Sequence, residues 1–195
     1  MDDDGVLPPT VPMREILGDT EICSELHRAV RDEKIRLVER LLKSEDSFLN
    51  LTDSANQTPL HYLADKKSQV AVDIATMLVN HHADINLRDK LGATPLHVAV
   101  STDAKGIFSL LISLKTIDVD VTDIDSNSPL HVAVETNNMD MARALLEKGA
   151  IRSLVNLNGN TPLMMAKKNK NSDLVELFIK VLDQDRIDTI VNARN

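Results

Sequence analysis

The sequence is poor in aromatic residues and in cysteine, and each shortage excludes a class of protein. It has no Trp, one Tyr, three Phe and one Cys among 195 residues. The single cysteine, Cys23, cannot form an internal disulfide, so the chain is not a disulfide-stabilised secreted scaffold. The formal net charge of −8 and the few aromatic rings argue against nucleic-acid binding, which uses basic surfaces and often stacking rings.

Long apolar runs are also missing. The richest run, residues 107–114, is interrupted by serines and is far shorter than the ~20 residues that a membrane helix needs. Residues 1–9 are acidic and do not resemble a secretory signal peptide. We therefore expect no membrane association and a cytoplasmic or nuclear localisation.

The charge is concentrated near the N-terminus. Residues 1–23 contain six acidic residues, one basic residue and three prolines. This composition predicts a mostly disordered acidic tail, followed by a folded domain over residues 24–195. Two roles for the tail remain open, one in solubility and one as a short docking or regulatory segment.

The folded domain is built from a repeated motif. Three segments are near copies of one another: Thr58-Pro-Leu-His61, Thr94-Pro-Leu-His97 and Ser128-Pro-Leu-His131. Thr161-Pro-Leu-Met164 lacks the histidine, and Ser24-Glu-Leu-His27 lacks the proline. The copies predict five repeats, over residues 24–57, 58–93, 94–127, 128–160 and 161–195.

The chemistry of one repeat predicts two helices separated by turns. Thr or Ser followed by Pro favours a helix start, because the hydroxyl can cap the helix and proline loses no hydrogen bond there. A polar break then separates the first helix from a second apolar-periodic run, which in the fourth repeat ends at Gly149. A pair of helices this short cannot bury its own apolar face, so the repeats must stack into an all-α solenoid.

This repeat resembles the ankyrin repeat, whose hallmark is a Thr-Pro-Leu-His-x-Ala tract at a 33-residue period. The resemblance covers residues 24 to about 190 and implies helix-turn-helix repeats joined by β-turn or hairpin loops. The second repeat carries three extra residues around 67–72, which predicts a longer turn or a longer second helix. His82 and Thr116 replace the glycine found at Gly149, so we expect the preceding helices to be less well capped.

Several patterns mimic catalytic or metal sites. His27, His61, His97 and His131 recur once per repeat, and we interpret them as a ladder that hydrogen-bonds the backbone of adjacent repeats rather than as metal ligands. The run from Asp123 begins like a calcium loop but lacks that loop's later Gly and Glu. The chain contains no phosphate-binding loop and no hydrolase motif, so we expect no enzymatic activity, no cofactor and no metal.

The resemblance also implies where a partner would bind. In ankyrin-like arrays, contact residues lie on the turn tips and on the exposed side of the first helix. With the acidic residues described below, the candidate partner-binding residues are Ser54, Gln57, Asp65, Lys66, Lys90, Leu91, Ser101, Thr102, Asp118, Asp120, Asp123, Ile124, Asp125, Asn127, Glu135, Leu157 and Asn158.

Two features of this set point to a kind of partner. Leu91, Ile124 and Leu157 are aliphatic residues at successive tips; they form either an exposed apolar stripe or contacts folded back onto neighbouring turns. Residues 116–128 contain four aspartates and no basic residue, which favours a partner with a basic segment, unless this is simply a solvated turn.

These observations predict a monomeric, non-catalytic protein–protein interaction module acting as an adaptor or scaffold. Two alternatives remain open. One is a small ankyrin inhibitor that caps a transcription factor or a kinase. The other is the ankyrin part of a larger enzyme or signalling protein.

Overall fold

The computed structural model describes residues 19–43 and 48–180, with side chains from residue 25. Its α-helices, in chain order, are α1 Asp19–Arg31, α2 Ile35–Leu42, α3 Pro59–Leu63, α4 Gln69–Asn80, α5 Pro95–Ser101, α6 Lys105–Ser113, α7 Pro129–Glu135, α8 Met139–Glu147, α9 Pro162–Lys168 and α10, residues 172–180. A 3₁₀ helix spans Phe48–Asn50, and the described residues contain no β-strand. The all-α fold class predicted from the sequence is confirmed.

The N-terminal region is described only in part. Helix α1 begins at Asp19, inside the segment for which the composition predicts a disordered tail. Residues 1–18 lie outside the described residues, so the prediction for them stays a prediction. Residues 181–195, the end of the predicted fifth repeat, also lie outside the described residues.

The first helix of repeats two to five begins where the Thr-Pro or Ser-Pro pair predicts. Thr58, Thr94, Ser128 and Thr161 are extended, with ψ between 163° and 166°, and the following proline occupies the first turn of the helix. Proline is compatible with this position because its missing N–H would have no partner inside the helix. The local sequence alone therefore determines these four helix starts.

The extra residues of the second repeat lengthen its second helix. Helix α4 has twelve residues, whereas α6 and α8 have nine each. In repeats two to five the second helix begins ten residues after the start of the first helix, so the turn between them is not longer in the second repeat. Of the two predicted outcomes, the structure shows the longer helix.

The end of α4 corrects one expectation. His82 adopts the left-handed conformation, with φ of 69°, as Gly149 does with φ of 95°. The amide of His82 donates to Val79 O at 2.9 Å and the next amide, of Ala83, donates to Leu78 O at 2.9 Å, which matches the hydrogen bonding at Gly149. Helix α4 is therefore as fully capped as α8, and the cost is left-handed strain in a residue with a side chain.

The end of α6 follows the prediction. Leu114, the residue after α6, is extended with ψ of 142°, and its amide donates to Leu111 O at 3.1 Å. The left-handed closure seen at α4 and α8 is absent there.

One apolar core runs through all the described repeats. It extends from Leu26 to Phe178 and includes the leucine of each Thr-Pro-Leu or Ser-Pro-Leu tract of repeats two to four. First helices pack on first helices (α1 with α3, α3 with α5, α5 with α7, α7 with α9), and second helices pack on second helices. This stacking leaves the turn tips as one continuous edge of the protein.

Candidate partner-binding surface

The recurring histidines join one repeat to the next. Nε2 of each of the four histidines lies 3.0–3.1 Å from the backbone carbonyl of the residue that directly precedes the following repeat; these pairs are His27 with Gln57, His61 with Ala93, His97 with Asn127 and His131 with Asn160. The interpretation of the histidines as an inter-repeat ladder is confirmed.

The tautomer of three histidines follows from their partners. Nδ1 of His61, His97 and His131 accepts the backbone N–H of the Thr or Ser three residues earlier, at 3.1–3.2 Å. An N–H can only donate, so Nδ1 carries no proton and Nε2 is the donor to the carbonyl. Each of the three side chains is almost completely buried. Burial lowers the pKa of all three below the usual 6.5, because the charged ring would lose its hydration, although the carbonyl acceptor opposes this shift.

The turn tips share one backbone geometry. The first residue of each tip is an aspartate or asparagine whose Oδ1 accepts two backbone amides, two and four residues later, at 2.8–3.1 Å. The fourth residue of each tip has positive φ. Those first residues are Asp53, Asp89, Asp123 and Asn156.

Successive tips are hydrogen-bonded into a ribbon. The amide of Lys90 donates to Ala55 O, that of Ile124 to Leu91 O and that of Leu157 to Asp125 O, each at 2.9 Å. We call the four hydrogen-bonded tips, residues 53–57, 89–93, 123–127 and 156–160, the tip ribbon. A partner that binds the tip ribbon meets a backbone that is already ordered.

The aliphatic side chains of the tip ribbon are exposed. Leu91 is 61%, Ile124 57% and Leu157 70% exposed. The sequence left two hypotheses open, an exposed apolar stripe or side chains packed onto neighbouring turns. The structure shows the exposed stripe and contradicts the packing onto neighbouring turns. Leu91 is the third residue of its tip, whereas Ile124 and Leu157 are the second, and Leu91 is joined to Ile124 by the inter-tip hydrogen bond.

The four aspartates predicted as an acidic cluster have different roles. Asp123 Oδ1 holds its own tip through two backbone amides, and Asp120 Oδ1 accepts the amide of Ile151 at 2.8 Å. Asp118 Oδ1 accepts the amide of Asp120 at 3.0 Å. The side chain of Asp125 is exposed and makes no ion pair with the residues that the structure describes. Asp125 is therefore the carboxylate most available to a partner.

The remaining candidate residues divide by exposure. Exposed side chains belong to Ser54, Asp65, Lys90, Ser101, Glu135 and Asn158, and half-buried ones to Gln57, Lys66, Thr102 and Asn127. Thr102 Oγ1 donates to Ala64 O of the preceding repeat at 3.1 Å, and Asn127 Oδ1 accepts from Asn156 at 2.9 Å. Thr102 and Asn127 therefore help to hold adjacent repeats together.

Two inter-repeat contacts were not predicted from the sequence. Arg88 donates from Nη2 to Thr122 O of the next repeat at 2.7 Å and from Nε to Gly92 O at 3.1 Å. Asn86 donates to Thr116 O at 2.9 Å and accepts the amide of Asp118 at 3.0 Å. The only available signal was an Asn or Asp at the same place in successive repeats, and that signal does not reveal the bonded atoms.

Metal binding, membrane insertion and grooves can also be assessed in the described residues. Within residues 19–43 and 48–180, no group of three or more His, Cys, Asp or Glu side chains is placed to hold a metal ion. No helix in the same ranges is both long enough and apolar enough to cross a bilayer. An open polar groove lies between the fourth and fifth repeats; its lining includes Glu135, Asn137, Asn169, Lys170, Asn171 and Ser172.

Stacked helix pairs with a histidine ladder and a hydrogen-bonded tip ribbon define a helical repeat protein. The family model for ankyrin repeats (3 copies) matches residues 26–123 and 105–189, so the chain belongs to the ankyrin repeat family. Ankyrin repeats generally serve protein–protein interaction and are generally not catalytic.

The chain is similar to short parts of much longer proteins. Neurogenic locus notch homolog protein 1 of Homo sapiens is 32% identical over 153 residues, covering 62% of this chain and 6% of that protein. The same-named protein of Mus musculus is 32% identical over 134 residues, covering 69% and 5%. Transient receptor potential cation channel subfamily A member 1 of Homo sapiens is 28% identical over 156 residues, covering 80% and 14%.

Proposed function

We propose that this chain is a non-catalytic adaptor or scaffold module that binds a partner protein through the tip ribbon and the adjoining ends of the first helices. The observation that carries the proposal is the row of exposed aliphatic side chains at three successive tips, Leu91, Ile124 and Leu157. Three large apolar side chains, each more than half exposed and aligned along one edge, are typical of an interaction site.

The ordered backbone beneath these side chains favours binding. Inter-tip hydrogen bonds of 2.9 Å and the two amides held by each tip's first residue restrain the ribbon before a partner arrives. Ordering a loop on binding costs free energy, and a preorganised ribbon avoids that cost. The apolar contacts therefore contribute more of their free energy to affinity.

The charge of this region supports a partner with a basic segment. Asp125 is exposed beside Ile124, and Asp118 is exposed in the preceding loop. Complementary charge speeds association and disfavours partners of the wrong sign. We also propose that the module is a monomer that acts in the cytoplasm or nucleus.

The test is affinity capture with mass spectrometry, using the wild type and the triple variant Leu91→Ser, Ile124→Ser, Leu157→Ser. The matched control replaces three exposed aliphatic residues away from the ribbon, Val70→Ser, Ile151→Ser and Ile179→Ser. We expect partners that remain with the control and are lost with the ribbon variant. Equal capture by both variants would refute the proposal.

Circular dichroism keeps this test interpretable. Because the three ribbon residues are exposed, their replacement should change the free energy of unfolding by less than about 0.5 kcal/mol per site. A large fall in the melting temperature of the triple variant would instead show that these side chains stabilise the fold.

The relatives support a second candidate, that this chain is the ankyrin part of a larger signalling protein. The matched regions form only 5–14% of the three relatives described above. Sequencing of the full-length transcript tests this candidate directly. A transcript that encodes no further domain would exclude it.

A further inference from the structure

The tip ribbon has two lines of side chains with one member of each line per tip, and all of them except the half-buried Ala55 are exposed. The second residues of the tips are Ser54, Lys90, Ile124 and Leu157, and the third residues are Ala55, Leu91, Asp125 and Asn158. Each inter-tip hydrogen bond joins a second residue to the third residue of the preceding tip. Equivalent positions therefore recur at the stacking distance of the repeats.

That distance selects a conformation for the partner. First helices of neighbouring repeats pack directly on each other, and packed helix axes lie about 8–10 Å apart. An extended or polyproline II chain rises ~3.1–3.4 Å per residue, so three of its residues span one repeat. An α-helix rises 1.5 Å per residue and is about 10–12 Å wide, which is broad for a strip that exposes two residues per repeat.

The chemistry along the line of second residues specifies a pattern. Lys90, Ile124 and Leu157 present a cation and two aliphatic side chains at one-repeat intervals, and all three are exposed. Asp125 adds a carboxylate between the two aliphatic residues, because its carbonyl accepts the amide of Leu157. Neither Lys90 nor Asp125 forms an ion pair in the part of the chain that the structure describes, so both charges are available to a partner.

We infer that the tip ribbon binds an extended peptide segment of its partner. In that segment an acidic residue, a first apolar residue and a second apolar residue occur in this order, each three residues after the one before. A basic residue lies directly beside the second apolar residue. The acidic residue contacts Lys90, the two apolar residues contact Ile124 and Leu157, and the basic residue contacts Asp125. Leu91 enlarges the first apolar contact, because its carbonyl is bonded to the amide of Ile124. This inference rests on the proposed function and adds the conformation and pattern of the partner.

The experiment compares two synthetic peptides of identical composition by fluorescence anisotropy. The first, GEPPLPKLPG with an N-terminal fluorescein, has the inferred pattern. The second, GPLPLEPKPG with the same label, has its leucines two residues apart. We expect the first peptide to bind about tenfold more tightly than the second. Equal affinities, or no binding of either peptide, would overturn the inference.

A charge exchange tests the register of binding. Lys90→Glu should weaken binding of the first peptide, and the peptide whose glutamate is changed to lysine should restore it. Val70→Ser serves as a control that leaves the affinity of both peptides unchanged. Circular dichroism of each variant confirms that it is folded. A uniform loss without rescue would contradict the assigned contact at Lys90.

The outcomes separate the inference from the proposed function. If capture of a cellular partner depends on Leu91, Ile124 and Leu157 but the two peptides bind alike, the extended-peptide inference fails and the proposed function stands. A helical peptide with leucines seven residues apart that outcompetes the first peptide would also overturn the inference. If capture is independent of the three residues, the proposed function itself fails.

Discussion

The buried histidines should make the stability of this protein depend steeply on pH between 7.5 and 5.5. His61, His97 and His131 each accept a backbone N–H at Nδ1 and place Nε2 against the carbonyl of the residue that directly precedes the next repeat. A proton added at Nδ1 would remove that acceptor inside the core. The folded state therefore prefers the neutral ring.

The sign and size of the effect follow from linkage. Because burial lowers the pKa of these three side chains in the folded state, the unfolded state binds more protons just below the usual value of 6.5. Stability is thus complete well above pH 6.5 and falls as the pH drops through and below that value. A histidine that stays neutral when folded costs about 1.4 kcal/mol in total between pH 7.5 and 5.5, and three of them cost about 4 kcal/mol. Domain stabilities are typically about 5–15 kcal/mol, so this loss is large.

Neighbouring charges oppose part of the loss. The carboxylates of Asp53 and Asp89 raise the pKa of His61, and that of Asp123 raises the pKa of His97 and His131. The figure of about 4 kcal/mol is therefore the upper value.

The assay is urea unfolding followed by circular dichroism at pH 7.5, 6.5 and 5.5. We expect His97→Gln to reduce the pH dependence by about one third, since one of the three buried rings is gone. The control is His81→Asn, which replaces an exposed histidine and should leave the pH dependence unchanged. A wild-type change below about 1 kcal/mol across this range, or an unchanged slope in His97→Gln, would refute the reasoning.

Three further predictions concern the turns, and each is checked by the free energy of unfolding in urea. His82→Gly should stabilise the protein by about 0.5–1 kcal/mol, because glycine adopts the observed φ of 69° without strain; a loss of stability would contradict this. Gly92→Ala should destabilise the protein more than Gly159→Ala, although both residues have φ near 70°. A Cβ at Gly92 would lie 2.9 Å from the backbone nitrogen of Ile124 in the next tip, whereas a Cβ at Gly159 would meet no atom within 4 Å. An equal loss in the free energy of unfolding for both variants would contradict this prediction, because it would mean that the atoms around Gly92 move aside without a free-energy cost. Asp123→Ala should cost about 1–2 kcal/mol through loss of two hydrogen bonds to backbone amides, and Asp125→Ala should cost little; the reverse order would refute the assigned roles.

Much of the fold could be predicted because the determining signals are local and repeated. The Ser-Pro or Thr-Pro pairs set four helix starts, and the recurring histidines indicated the inter-repeat ladder that the structure shows. The expectation of a poorly capped α4 was wrong, because His82 accepts left-handed strain in exchange for two backbone hydrogen bonds. The preference for glycine at the end of a helix does not show that two backbone hydrogen bonds can outweigh the strain of a left-handed histidine.

Less of the candidate site than of the fold could be predicted from the sequence. A leucine at a turn tip can pack onto its neighbour or point into solvent, and only the packed repeats show that Leu91, Ile124 and Leu157 point outward. The aspartates between residues 118 and 125 are similar in the sequence but differ in the structure. Asp120 and Asp123 accept backbone amides, whereas Asp125 remains exposed, and these roles depend on backbone groups that the turns and the next repeat bring close.

The sequence by itself determined the repeat period, the helix-forming segments and the membership of a stacked all-α family, because these depend on contacts within a few residues or on a pattern copied several times. Apart from the recurring histidines, tertiary structure alone decided which polar groups hold adjacent repeats together and which remain available to a partner. The physical reason is that the partner atoms come from the neighbouring repeat, about 30–34 residues away, as for Asn86 with Thr116 and Arg88 with Thr122. The tip ribbon, and the apolar stripe along it, exists only once the repeats are stacked.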